Sequence, residues 1–166
     1  MATQTEYQKK IRQKAIPAVY TILFRTRGEI LLMMRQNTGY QDGNWDLPSG
    51  HMEEGELPSL SAAREATEEV GIVLDHRDLV LVHTSYRPEH DKTGNRIDLF
   101  FMTRHWSGEP EIGEPEKCSE IRWVNRFDLP DNMVPHVYQA ICHWRTRNFY
   151  SELGVDWLKA RGLYKL

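Results

Sequence analysis

Apolar and polar positions fall in blocks along this chain, and the blocks predict its elements. Residues 16–24 are apolar and partly β-branched, residues 25–29 are polar and include Gly28, and residues 30–34 are apolar again. Two such runs around a short turn predict a β-hairpin. Over residues 58–70 the period changes to that of a helix, with Leu60, Ala63, Thr67 and Val70 on one side and Glu65, Glu68 and Glu69 on the other. Residues 79–83, 97–102 and 121–124 read as strands; residues 87–95, with Pro88 and Gly94, read as a loop, and residues 106–116 as a stretch broken by prolines and glycines. Val137, Ala140, Ile141 and Trp144 stand at helical spacing within residues 135–145. No internal repeat or low-complexity tract is present. Strands interrupted by helices at two places predict an α+β or α/β sandwich.

The first helix has a defined frame. Pro58 suits a first helical position, where its missing N–H is no loss, and Gly71 suits a left-handed cap after the last turn. Its acids are the unusual feature. Glu65, Glu68 and Glu69 stand at i, i+3 and i+4, and like charges at that spacing repel by a few tenths of a kcal/mol each, about 0.2–0.5. A hard divalent cation offsets such a cluster, since Mg²⁺ takes carboxylate oxygens, keeps several waters and accepts substrate phosphates. The preceding residues 45–55 form a glycine-punctuated loop able to aim carbonyl oxygens at an ion.

Composition bounds the remaining options. The chain has 166 residues, 40% hydrophobic and 27% charged, which predicts one globular domain with an adequate core. No apolar run approaches a membrane span, and residues 1–6 lack the apolar stretch of a secretory signal, so no membrane partner and a cytoplasmic location are expected. Cys118 and Cys142 have neither metal-ligand nor disulfide-framework spacing, and the seven histidines offer no pair at ligand spacing. Net charge is −3, with +3 on residues 1–14, +3 on residues 143–166 and hence −9 between. An acidic centre argues against a nucleic-acid polymer as partner and suits a cation site.

The spacing Gly50-(five residues)-Glu56-(seven residues)-Arg64-Glu65, continuing through Glu68, Glu69 and Val70 to Gly71 and Ile72, resembles the signature box of the Nudix hydrolases. Leu57 departs from its commonest form, in which Ser or Thr caps the helix, at a cost of about 1 kcal/mol. The resemblance implies an α/β/α sandwich with a mixed sheet over residues 15–147, flanked by extensions at 1–14 and 148–166. The latter carries Phe149, Tyr150, Trp157, Leu158, Leu163 and Tyr164, expected by default to pack on the sheet, the alternatives being to cover the pocket or to join a dimer partner. It also implies Mg²⁺-dependent hydrolysis of a nucleoside diphosphate linked to a group X, with Mn²⁺ as a substitute ion.

Residue by residue, the resemblance makes Glu65 and Glu69 the principal metal ligands, Glu68 a support for a second ion or an actor on the attacking water, and the Ser49 carbonyl a further ligand. Gly50, Glu56, Arg64 and Gly71 become structural, with Arg64 holding loop to helix through Glu56 or a neighbouring acid. Members also draw an acid from a later loop; Glu114, Glu116 and Glu120 qualify, and Glu120 is preferred. Arg35 is placed to meet phosphates, and Tyr40, Trp45 and Phe100 offer aromatic faces for a base. Residues 128–135 resemble the segment of MutT-like enzymes in which an asparagine reads a purine, which singles out Asn132. The leading expectation is a (deoxy)nucleoside triphosphate, including an oxidised purine such as 8-oxo-dGTP, cut to monophosphate and pyrophosphate by a monomer or homodimer. The alternatives are an ADP-ribose or nucleotide-sugar pyrophosphatase and a non-catalytic nucleotide-sensing module.

Overall fold

A computed structural model describes residues 14–88 and 94–160. Among these described residues, eight strands divide between two sheets: β1 (Ile16–Leu23), β2 (Glu29–Arg35), β3 (Trp45–Asp46), β4 (Ser49–His51), β5 (Val80–Arg87), β6 (Arg96–Thr103), β7 (Cys118–Asn125) and β8 (Tyr150–Glu152). The helices are α1 (Pro58–Val70), α2 (Pro135–Arg145) and the short α3 (Val155–Ala160), with one 3₁₀ turn at His76–Asp78. A five-stranded mixed sheet runs β4-β1-β6-β5-β8 and a three-stranded antiparallel sheet runs β3-β2-β7. Parallel pairing of β1 with β6 and of β5 with β8 makes the larger sheet mixed. Helices lie on both sides, so the α/β fold with a mixed sheet is the one observed. Among the described residues no helix is long and apolar enough to cross a membrane.

The predicted hairpin at residues 16–34 is not formed. Phe24 and Ile30 make a single antiparallel bridge, and the strands then part, β1 into the larger sheet and β2 into the smaller. Both strands are buried on both faces, so each has a layer to cover on either side and neither needs the other as its edge partner. One face of β1 carries Ala18, Tyr20 and Ile22 into a core shared with Phe100, Val137, Ala140 and Ile141; the other carries Val19 and Leu23 toward α1. Each fully buried aliphatic or aromatic side chain in these cores contributes about 1.5–3 kcal/mol.

The buried stripe of α1 also differs from expectation. Ser61, Ala62, Ala66 and Val70 face the sheet, whereas Leu60 and Thr67 are exposed. Ser61, Ala62 and Ala66 are small and let the helix approach closely, Thr21 Oγ donating to the Ala62 carbonyl at 3.1 Å. The stripe is thus rotated toward the acids, and Glu65 and Glu69 stand at its edge rather than opposite it.

Two further elements escaped the pattern. The loop before α1 contains β3 and β4, and the chain after α2 returns as β8, pairing Thr84 with Tyr150 through Tyr86 with Glu152. The sheet therefore does receive part of the C-terminal segment; Leu163 and Tyr164 lie outside the described residues, as does the N-terminal segment before Lys14.

Candidate active site

Helix α1 is anchored at both ends by backbone. Leu57 offers no side-chain cap, Pro58 opens the first turn, and Gly71 at φ +67° donates its N–H to the Thr67 carbonyl. The loop before β7 closes the C-terminal end, with Glu111 N–H on the Val70 carbonyl at 3.1 Å and Gly113 N–H on the Glu69 carbonyl at 2.9 Å. A Cβ on Gly113 would stand 2.0 Å from the Glu68 carbonyl oxygen, so this close approach requires glycine.

Arg64 ties the helix to the loop that precedes it. Its Nε and Nη2 donate to the two oxygens of Glu56 at 3.0 Å each, Nη1 to Glu65 at 2.8 Å and to Glu68 at 3.3 Å, and Nη2 to the His51 carbonyl at 3.2 Å. The fork geometry of guanidinium suits several fixed acceptors at once. Hydrogen bonding to Arg64 lowers the Glu56 carboxyl to about 2.

The acids divide by burial. Glu69 accepts the Ser49 N–H at 2.7 Å and is otherwise enclosed; burial pushes its carboxyl up to about 8, opposed by that N–H and reinforced by Asp46, Glu65 and Glu114. Burial also raises Glu65, with Arg64 opposing. Gly50 lies directly against Glu65: a Cβ there would come within 2.0–2.3 Å of the carboxyl atoms. Glu68 is exposed, its side chain 52% accessible.

Enclosed carboxylates with like-charged neighbours and oxygen-only donors are the setting a hard divalent ion stabilises. Among the described residues no three His, Cys, Asp or Glu side chains are gathered closely enough to hold an ion alone. The arrangement fits an ion that completes its shell with backbone carbonyls, waters and substrate phosphate, as Mg²⁺ does.

Glu69 lines a cleft of about 330 Å³, together with Asp46 and Glu114 and beside Gly50, against which Glu65 lies. Several of its lining groups carry no local sequence signal. Tyr20 Oη and His136 Nε2 are 2.9 Å apart, joining β1 to α2. Arg87 on β5 makes two hydrogen bonds to Asp98 on β6, one of 2.9 Å, and Ser85 Oγ donates to the same carboxylate at 3.1 Å. Asp98 is fully buried and Arg87 is 8% exposed. A charged residue in the middle of the apolar run 97–102 was the available signal for Asp98; nothing local marks Arg87 as its partner.

The other predicted residues are placed as follows. Arg35 lines the cleft, but its fork is engaged by Asp46 at 2.8 Å, the Tyr40 carbonyl at 2.9 Å and Thr38 at 3.0 Å. Tyr40 lines the cleft. Trp45 does not: it is 3% exposed, packed in the core beneath the Arg122 guanidinium, because the two-residue strand β3 turns its ring inward. Phe100 is likewise core, stacked on Tyr20 at 4.5 Å. Asn132 lies outside the cleft lining and donates to the Gly43 carbonyl at 2.8 Å. Glu120 lies on β7 opposite Met34, exposed and bound by Arg122 at 2.6 Å, whereas Glu114 reaches the cleft beside Lys117, 2.7 Å away. Of the three later acids the structure brings Glu114 to the cleft, and not Glu116 or Glu120.

Fold and site together define a hydrolase of phosphoric anhydrides. The NUDIX domain model matches residues 14–144, and the chain belongs to the Nudix family, whose members generally use divalent metals. The chain is 28% identical over 125 residues to an 8-oxo-dGTP diphosphatase of Escherichia coli strain K12, covering 74% of this chain and 93% of that protein. It is 32% identical over 129 residues to an ADP-ribose pyrophosphatase of Methanocaldococcus jannaschii, covering 77% and 73% respectively. Among solved structures, a MutT NUDIX hydrolase from Burkholderia pseudomallei superposes with a TM-score of 0.70 at 23% identity, over 78% of this chain and 97% of that one. The activity is that of a Nudix pyrophosphohydrolase.

Proposed function

We propose that this pyrophosphohydrolase cleaves a nucleoside triphosphate to monophosphate and pyrophosphate with Mg²⁺. The observation that carries the reading is the enclosed Glu69 carboxylate, held by the Ser49 N–H and lining a nucleotide-sized cleft. Mg²⁺, when bound, supplies charge neutralisation on the phosphoryl oxygens and makes a water acidic enough to attack. Glu65, Glu69 and the Ser49 carbonyl would hold it. Glu68, exposed and bound to Arg64 at 3.3 Å, supports a second ion or takes the proton of the attacking water. Glu114 is the later acid that joins them, and Lys117 beside it offers a positive charge to the departing phosphates. Arg64 acts by fixing Glu65 and the loop, since its donors are directed at Glu56, Glu65, Glu68 and the His51 carbonyl.

A second reading, in which X is ribose 5-phosphate, is supported by the relative named for ADP-ribose. The oxidised-purine refinement is supported by the relative named for 8-oxo-dGTP; Asn132, expected to read the base, donates its amide N–H to the Gly43 carbonyl. The test is pyrophosphate and phosphate release, with Mg²⁺ and with chelator, from nucleoside triphosphates, 8-oxo-dGTP, ADP-ribose and nucleotide sugars. Metal-dependent pyrophosphate release from a triphosphate is expected. Cleavage confined to ADP-ribose would move the assignment to the second reading.

A further inference from the structure

Tyr40, Arg87 and His136 line the cleft described above and also a second chamber of about 340 Å³. Its remaining wall includes Gln41, Gln139 and the chain at Leu153 and Gly154. That last segment lies beyond the family-matched region and is brought there by specific contacts. Strand β8 pairs in parallel with β5, Leu153 N–H donates to the Tyr86 carbonyl at 2.9 Å, and Gly154, at φ +78°, lies so close to Pro88 that a Cβ would stand 2.9 Å from its ring.

The two spaces differ in chemistry. The first holds Asp46, Glu69 and Glu114. Among the described residues, the second has no carboxylate in its lining, and its one cation, Arg87, stands at the junction and is paired with Asp98. What remains is two primary amides, a phenol ring and an imidazole, set among Pro88, Pro135 and Leu153. Gln139 presents donor and acceptor together, which suits the edge of a heteroaromatic ring; Gln41 Oε1 accepts from Asn44 at 3.2 Å, so its amide adds N–H donors, and a tyrosine face suits the ring plane. The Tyr40 carbonyl accepts from Arg35 Nε at 2.9 Å, and the Arg35 guanidinium lies 5.6 Å from the ring centroid, on one side of the ring.

We infer that the second chamber receives the nucleobase, read by Gln41 and Gln139 and stacked on Tyr40, while ribose and phosphates run back past Arg87 to the acids of α1. This rests on the nucleotide-substrate reading and adds that the C-terminal segment is a wall of the substrate site.

The test compares AMP with ribose 5-phosphate, which lacks the base, by titration calorimetry of the full chain without metal. Wild-type protein is expected to bind AMP at least about tenfold more tightly, and Gln139→Trp, which fills the chamber from an exposed helix position, to erase that preference while ribose 5-phosphate affinity stays unchanged. If circular dichroism shows that variant misfolded, the Gln41→Ala/Gln139→Ala double variant carries the test, with about a fivefold loss confined to AMP. No preference in the wild type, a preference that survives the substitutions, or equal losses for both ligands would overturn the inference. Absence of Mg²⁺-dependent triphosphate hydrolysis with the AMP preference intact would instead sink the triphosphate reading and leave the chamber assignment standing.

Discussion

The two longer helices supply two adjoining spaces with different materials. Helix α1 contributes charge: Glu65 and Glu69 within two turns, clasped by Arg64 and braced by Ser49. Helix α2 contributes an imidazole and an amide, His136 and Gln139, and His136 is positioned by Tyr20, 116 residues earlier in the chain. The reactive end is thus built almost within one local segment, where helix periodicity alone aligns the acids. The opposite wall exists only after both sheets have formed and α2 has packed on them. Damage to the first should remove chemistry and spare the fold; damage to the second should alter the fold or the choice of substrate.

Glu69→Gln tests the first half of that contrast. The amide keeps the shape and can still accept the Ser49 N–H, but it removes a charge that burial already disfavours. Turnover with Mg²⁺ is expected to fall by about 10³-fold, with an unchanged or raised Tm. Wild-type kcat in this variant would take α1 out of the mechanism. Asp98→Ala tests the second half: it strands the Arg87 guanidinium, 8% exposed, without its carboxylate, and a broken buried pair costs about 3–5 kcal/mol. Denaturant unfolding should show that loss, and adding Arg87→Met should recover most of it. A loss under about 1 kcal/mol would mean that water reaches this wall and screens the pair as at a surface.

The same contrast explains what could be read from the chain alone. Glu65, Glu68, Glu69 and Arg64 were legible because a helix converts sequence spacing directly into spatial proximity. The hairpin was misread because two continuous apolar runs carry no mark of which strand each will join; β1 found β4 and β6, and β2 found β3 and β7. Trp45 and Tyr40 look alike as loop aromatics beside the box, yet one ring is core and the other lines the cleft. That difference is set by the inward turn of a two-residue strand. Glu120 was preferred over Glu114 for its place beside a predicted strand, but the strand itself holds it outside the cleft. The loop that carries Glu114 is instead pinned to the end of α1 through Glu111 and Gly113.

A smaller effect separates the clasp on α1 from its acids. Glu56 is depressed to about 2 in the fold from an ordinary value near 4.5, chiefly by hydrogen bonding to Arg64. A carboxylate with a lowered folded-state pKa stabilises fully above its unfolded value and loses that contribution as pH falls through the folded one. Acid unfolding of wild-type protein should therefore steepen between about pH 4.5 and pH 2, and Glu56→Gln should flatten this segment while lowering stability at pH 7. An unchanged acid limb would show that Arg64 is held by Glu65 and the loop without help from Glu56.

The least disruptive substitution bears most directly on substrate choice. Asn132→Ala removes one exposed hydrogen bond to the Gly43 carbonyl, expected to cost about 0.5–1.5 kcal/mol of stability. Gly43 belongs to the loop that carries Tyr40, so the loss should appear as a lower Tm and leave the ratio of KM values for purine and pyrimidine triphosphates unchanged. A selective rise of about tenfold in the purine KM, with kcat preserved, would mean that Asn132 leaves Gly43 to read the base. The chamber beside α2 would then lose its proposed occupant, and selectivity would return to the segment that precedes that helix.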